Sequence, residues 1–115
     1  MDAALKAELR ELLHGRLQAA MQQAEGQAER SDAVELDQAK VGRLSRMDAL
    51  QQQAMQDATQ ARLQVQVQRL QRALRQLDDD DFGDCVECGD PISAGRLRID
   101  PAITLCVACA EALGR

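Results

Sequence analysis

Aromatic side chains are almost missing from this chain. Phe82 is the one ring, and there is no Trp or Tyr among 115 residues. A globular core of this size normally draws on several large rings, so a ring-filled core is not the expectation. Proline is absent before Pro91, and nothing in that long stretch forces a helix to stop. No apolar run approaches the ~18–20 residues of a membrane span. The start, Met1-Asp2-Ala3-Ala4-Leu5-Lys6, lacks the apolar run of a secretory leader, which implies a reducing, cytoplasmic setting. Cations are in the minority, with 14 Lys and Arg against 19 acids, a net charge of −5 and a pI near 4.8. That balance speaks against a sheath around nucleic-acid phosphates, where affinity comes from clustered Lys and Arg.

What the chain does have, before residue 80, is alanine, leucine, glutamine, arginine and acids, a coiled-coil composition. Leu5, Leu9, Leu12, Leu17, Ala20, Ala24 and Ala28 recur at helical spacing over residues 2–30. His14 lies beside that stripe and reads as a solvated side chain. Gly15 and Gly26 each cost roughly 1 kcal/mol relative to alanine, so this helix needs a partner. Ser31 and Asp32 are capping residues, and the chain is expected to turn near Val34. Asp37 is an N-cap candidate for a second helix reaching about Leu77.

That second helix carries two apolar stripes. Met47, Leu50, Ala54, Ala58, Ala61 and Val65 form the first; Leu63, Val67, Leu70, Leu74 and Leu77 form the second. A turn near Val34 sets residue i opposite about residue 68 minus i, because both arms rise equally. The early stripe then packs on the first helix, and the late stripe packs on whatever follows. One broad apolar face is the plainer alternative. Arg62, Arg69, Arg72 and Arg75 read as a solvated face with packed stems, the alternative being an anion contact. Asp78 to Asp81 oppose the helix dipole and favour a helix end there.

All four cysteines fall in Cys85-x-x-Cys88 and Cys106-x-x-Cys109, with seventeen residues between the pairs. Two such knuckles about 15–20 residues apart are a zinc signature, since each aims two thiolates at one tetrahedral ion. Two disulfides are the alternative, and they need an oxidising compartment. Gly89, Pro91 and Gly95 mark turns, Arg96-Leu97-Arg98-Ile99 alternates like a short strand, and residues 107–113 can form one closing helix. Four cysteines leave zinc no open position for water, and no nucleophile–base pair is evident, so no enzyme is expected.

Asp81-Phe82-Gly83, Cys85-x-x-Cys88-Gly89, Pro91-Ile92, Arg96-Leu97, Pro101 and Thr104-Leu105-Cys106-x-x-Cys109 together resemble the finger of the DksA/TraR family, and the preceding hairpin resembles that family's coiled coil. The resemblance implies a regulator that inserts its hairpin into the secondary channel of bacterial RNA polymerase, often with the alarmone ppGpp, and binds no promoter DNA. The family's tip motif, Asp-x-x-Asp-x-Ala, aligns with Val34-x-x-Asp37-x-Ala39. This implies tip contacts through Asp37 and Ala39, although the run from Asp37 to Cys85 is about two helical turns longer than is typical. A tip built from Ser45, Arg46, Met47 and Asp48 is the alternative.

The expected architecture is therefore all-α. A long antiparallel helical hairpin occupies residues 1–80 with its tip near 31–40. A four-cysteine zinc finger with a short closing helix occupies residues 81–115, its ligands Cys85, Cys88, Cys106 and Cys109. The leading function is regulation of transcription through RNA polymerase. The alternative is a zinc-stabilised coiled-coil adaptor that binds another protein and tolerates change at its tip.

Overall fold

The computed structural model describes the backbone of residues 1–41 and 46–114, and the side chains of residues 1–29 and 46–114. Two long helices, α1 (Ala3–Val41) and α2 (Arg46–Gln76), form an antiparallel hairpin. Two short helices follow, α3 (Ala94–Ile99) and α4 (Val107–Ala112). Among the described residues no helix is long and apolar enough to cross a membrane. Asp2 caps α1, its carboxylate accepting from the Leu5 N–H at 2.7 Å. Past Gln76 the chain leaves α2 in successive turns, Asp79 N–H to the Gln76 carbonyl and Phe82 N–H to the Asp79 carbonyl, where the four acids disfavour further helix.

The turn expected near residues 31–40 is not where the chain reverses. Helix α1 continues through that stretch to Val41, and α2 starts at Arg46. Ser31 and Asp32 have capping chemistry, but no glycine or proline lies between residues 27 and 41 to break the helix. Gly42, a residue type on which helices commonly end, directly follows Val41.

Moving the reversal changes the register. The chain divides into two compact units, Met1–Leu17 with Arg69–Arg115, and Gln18–Gln68. In the first, Arg10 pairs with Asp78 at 2.7 Å. In the second, a groove is lined by Met21, Ala24 and Ala28 from α1 and by Val67, Gln64 and Gln60 from α2. Both follow a pairing near 88 minus i instead of 68 minus i.

The two-stripe reading of α2 is corrected as well. Its covered face is one heptad series, Ala49, Gln53, Gln56, Gln60, Leu63, Val67, Leu70, Leu74 and Leu77, each buried or half-buried. The expected early stripe, Met47, Leu50, Ala54, Ala58, Ala61 and Val65, is exposed along its whole length. Three glutamines in the true seam made apolar residues on the opposite face look like the packing stripe. Glutamine also replaces alanine on α1, where Gln27 is buried and Ala28 is exposed.

The first unit holds most of the apolar core. Leu9 and Leu13 of α1, Leu70 and Ala73 of α2 and Leu77 just past its end are buried, as are Ile92, Leu97, Ala102 and Leu105 of the finger. Burying a leucine side chain completely contributes about 1.5–3 kcal/mol, so the leucines anchor finger and helix ends as one body. Polar ties reinforce it. Arg98 Nε donates to Glu8 at 2.8 Å, Arg16 donates to the Ile99 and Arg98 carbonyls at the end of α3, and Arg69 pairs with Asp100. His14 is exposed, as expected.

Candidate metal centre

The first knuckle is built by backbone hydrogen bonds that a glycine makes possible. The Gly89 N–H donates to the Cys85 carbonyl at 2.9 Å, and the Cys85 N–H donates to the Asp90 carbonyl at 2.8 Å. Gly89 has φ of +79°, a conformation costly for residues with a Cβ. Gly83, at φ of +92°, is held in the same left-handed region, with the flexible end of the Met1 side chain beside it. The Val86 N–H donates to the Thr104 carbonyl at 2.9 Å, which ties the first knuckle to the strand of chain leading into the second.

The second knuckle opens α4. Cys106 is its N-cap, with the sulfur accepting from the Cys109 N–H at 3.4 Å. The closing helix thus forms where residues 107–113 were expected to supply it. Residues 96–99 were expected as a strand but form most of α3. Ser93 caps that helix by accepting from the Arg96 N–H at 3.2 Å, and Leu97 turns into the core. Four alternating residues span barely one helical turn, too few for alternation to specify a strand.

Cys85, Cys88, Cys106 and Cys109 are all free thiols, and their sulfurs lie within 4.8 Å of one another. Cys88 and Cys106 Sγ are 3.8 Å apart. Thiolates bound tetrahedrally at about 2.3 Å from zinc stand roughly 3.8 Å apart, so the donor set fits that ion in number, type and spacing. Soft sulfur ligands select zinc over magnesium or calcium. The electrostatics agree. Backbone N–H groups of Cys106 and Cys88 lower the Cys85 thiol to a pKa of about 6. The Cys106 sulfur, then those of Cys85 and Cys88, raise Cys109 far above the ordinary thiol range. At Cys88 the Asp90 backbone favours the thiolate, but burial and neighbouring sulfurs outweigh it and the pKa rises. A thiolate forms readily at Cys85, whereas negative charge on Cys88 and Cys109 calls for a cation at the centre.

Asp37 and Ala39 fall within the bounds of α1, and their side chains lie outside the described residues. Ser45 lies outside them too. Arg46, Met47 and Asp48 form the first turn of α2 and are exposed.

A helical hairpin joined to a small finger with four thiolates around one metal defines the class of this protein, a C4 zinc-finger protein. The pattern of the prokaryotic dksA/traR C4-type zinc finger matches residues 80–113. Over 43 residues the chain is 35% identical to the RNA polymerase-binding transcription factor DksA of Escherichia coli strain K12, covering 37% of this chain and 28% of that one. Over 43 residues it is 40% identical to the factor of the same name from Haemophilus influenzae, covering 37% of this chain and 30% of the other. The aligned part thus spans less than a third of these relatives. The structure of transcription factor DksA2 from Pseudomonas aeruginosa superposes with a TM-score of 0.82 at 26% identity, covering 98% of this chain and 85% of that one. Residues 80–113 thus carry a finger of the dksA/traR type, and the chain shares its fold with DksA2 over nearly its whole length.

Proposed function

We propose that this protein regulates bacterial transcription by binding RNA polymerase in the cytoplasm, with the hairpin entering the secondary channel and no catalytic step of its own. The observation that carries the reading is the likeness to DksA2 over 98% of the chain, hairpin and finger together. A shared finger alone would leave the hairpin without a role. Its low cation content also argues against sequence-specific DNA binding.

The helix bounds bear on which residues meet the polymerase. Asp37 lies one turn before the last residue of α1, with Ala39 beside it in sequence, and Asp48 lies in the first turn of α2. A tip centred on Asp48 removes the extra length between tip acid and finger that Asp37 requires. Both acids, with Ala39, are assigned to the tip contact, and Asp48 is the stronger choice. An exposed acid there would perturb mobile, charged elements near the polymerase active centre. The alarmone ppGpp is the small-molecule partner of this reading, held at the interface with polymerase.

The test is capture of core RNA polymerase by the zinc-loaded chain, with and without a protein that occupies the secondary channel. Competition is expected. Asp48→Asn and Asp37→Asn should still bind, because each keeps side-chain size and Asp48→Asn also keeps helix-start chemistry, and Asp48→Asn should lose most of the effect on open-complex lifetime. Failure of the parent chain to capture polymerase would leave the adaptor reading in its place.

A further inference from the structure

Helix α2 carries a second heptad seam on the face opposite the one it gives to α1. Met47, Gln51, Ala54, Ala58, Ala61 and Val65 recur at spacings of four, three, four, three and four, and all six are exposed. Met47 is 70% exposed and Val65 56%. Leu50, at 59%, and Met55, at 70%, flank the seam on its two sides. These four are the exposed large apolar residues of α2, so its unpartnered apolar surface is confined to this one face. Surface apolar residues scattered singly need no explanation, but a heptad series with apolar flanks is the pattern of a helix that meets a second partner.

We infer that this face is a self-association seam, and that two copies of the chain pair in parallel along α2 from Met47 to Val65. The flanks select both the occupant and its direction. In a parallel pair, a residue on one flank meets the residue five positions further along the other helix. That rule sets Leu50 against Met55 of the second copy and Asp57 against Arg62 of the second copy, each twice by symmetry. The apolar flanks cover one another and the charged flanks are opposite in sign. In an antiparallel pair with its centre near Gln56, Asp57 would face its own copy and like charges would meet. Asp57 and Arg62 are both exposed, and their hydrogen bonds, from Gln53 at 2.9 Å and to Thr59 at 3.1 Å, stay within the helix. Ala54, Ala58 and Ala61 let the two backbones approach closely, toward the short end of the roughly 8–10 Å range of packed helices. Gln51 at a seam position favours one register over others. About five turns of seam with three alanine layers make a small interface, so the pairing is weak and reversible. A paired α2 cannot enter the polymerase channel, so the dimer and the polymerase complex compete, while the pairing itself is read without polymerase present.

Sedimentation equilibrium of the zinc-loaded full chain, under reducing conditions, tests it. A monomer–dimer equilibrium with a dissociation constant on the order of 10 µM is expected. Ala58→Glu should weaken it at least tenfold with an unchanged helical signal, because residue 58 faces away from α1. Asp57→Arg should weaken it severalfold, and adding Arg62→Asp to that variant should restore it. A chain that stays monomeric to about 100 µM, or a dimer indifferent to Ala58→Glu, overturns the inference. A double charge swap that fails to restore the dimer overturns the parallel register.

Discussion

Arg69 of α2 donates to Asp100 Oδ2 at 3.2 Å, joining the long helix to the residue that ends α3. Asp100 also accepts from the Ala102 N–H through Oδ1 at 3.3 Å, so one carboxylate holds both a turn and a tether. The basic stretch of α2 is thus partly structural and not wholly solvated. With about a third of each side chain exposed, Arg69→Ala should lower the stability of the zinc-loaded chain by about 0.2–1 kcal/mol. A urea titration at low and high salt checks this, and the loss should shrink at high salt.

Cys88→Ser should abolish stoichiometric zinc and unfold the finger, because the free energy of binding is folding energy in a module this small. Most of the helical circular dichroism should survive, since α1 and α2 supply most of the helix. Elemental analysis of the parent should find one zinc per chain. A folded finger without metal under reducing conditions would contradict the site.

Zinc affinity should rise with pH. Protons compete with the metal for sulfur, and Cys88 and Cys109 are both held above the ordinary thiol range, so both remain protonated at neutral pH. Binding must displace those protons, and the logarithm of the apparent binding constant should climb by at least about two per pH unit between roughly pH 6 and 8. Below about pH 6, Cys85 also protonates and the dependence steepens. Competition against a chelator of known affinity across this range gives the slope.

Leu70→Ala and Leu50→Ala separate the two faces of α2. Leu70 is 1% exposed and Leu50 is 59% exposed. The first truncation should cost about 2–5 kcal/mol and the second, in dilute solution, less than about 0.5 kcal/mol. Equal losses in chemical denaturation would return the seam to the wrong face.

Gln60→Leu should stabilise the hairpin. Gln60 lies on the seam, and its Oε1 is buried with no hydrogen-bond partner. Replacing it with leucine removes a desolvated acceptor and adds apolar contact, for a gain of about 1 kcal/mol. Thermal melting of the zinc-loaded variant would show it.

These contrasts also explain what could be read beforehand. The metal ligands were legible because cysteine identity and spacing leave few arrangements. The helical hairpin was legible because composition and periodicity agree. The reversal point was not, because Ser31 and Asp32 serve both as caps and as ordinary helix residues, and only tertiary pairing decides between the two. The seam was hidden because Gln27, Gln53, Gln56 and Gln60 occupy positions where periodicity searches expect aliphatic side chains. The stretch from Arg96 to Ile99 was misread because a capping serine one residue outside α3 outweighs four residues of alternation.

The seam of α2 changes character along the helix, with Val67, Leu70 and Leu77 buried at one end and glutamines toward the other. Cohesion is therefore unevenly shared, and opening the arms within Gln18–Gln68 costs less than opening the unit that holds the metal. Such a chain is expected to open in stages and not as one cooperative block. A binding partner can spread or reshape the glutamine-lined half while the thiolate cluster and its leucine anchor stay native.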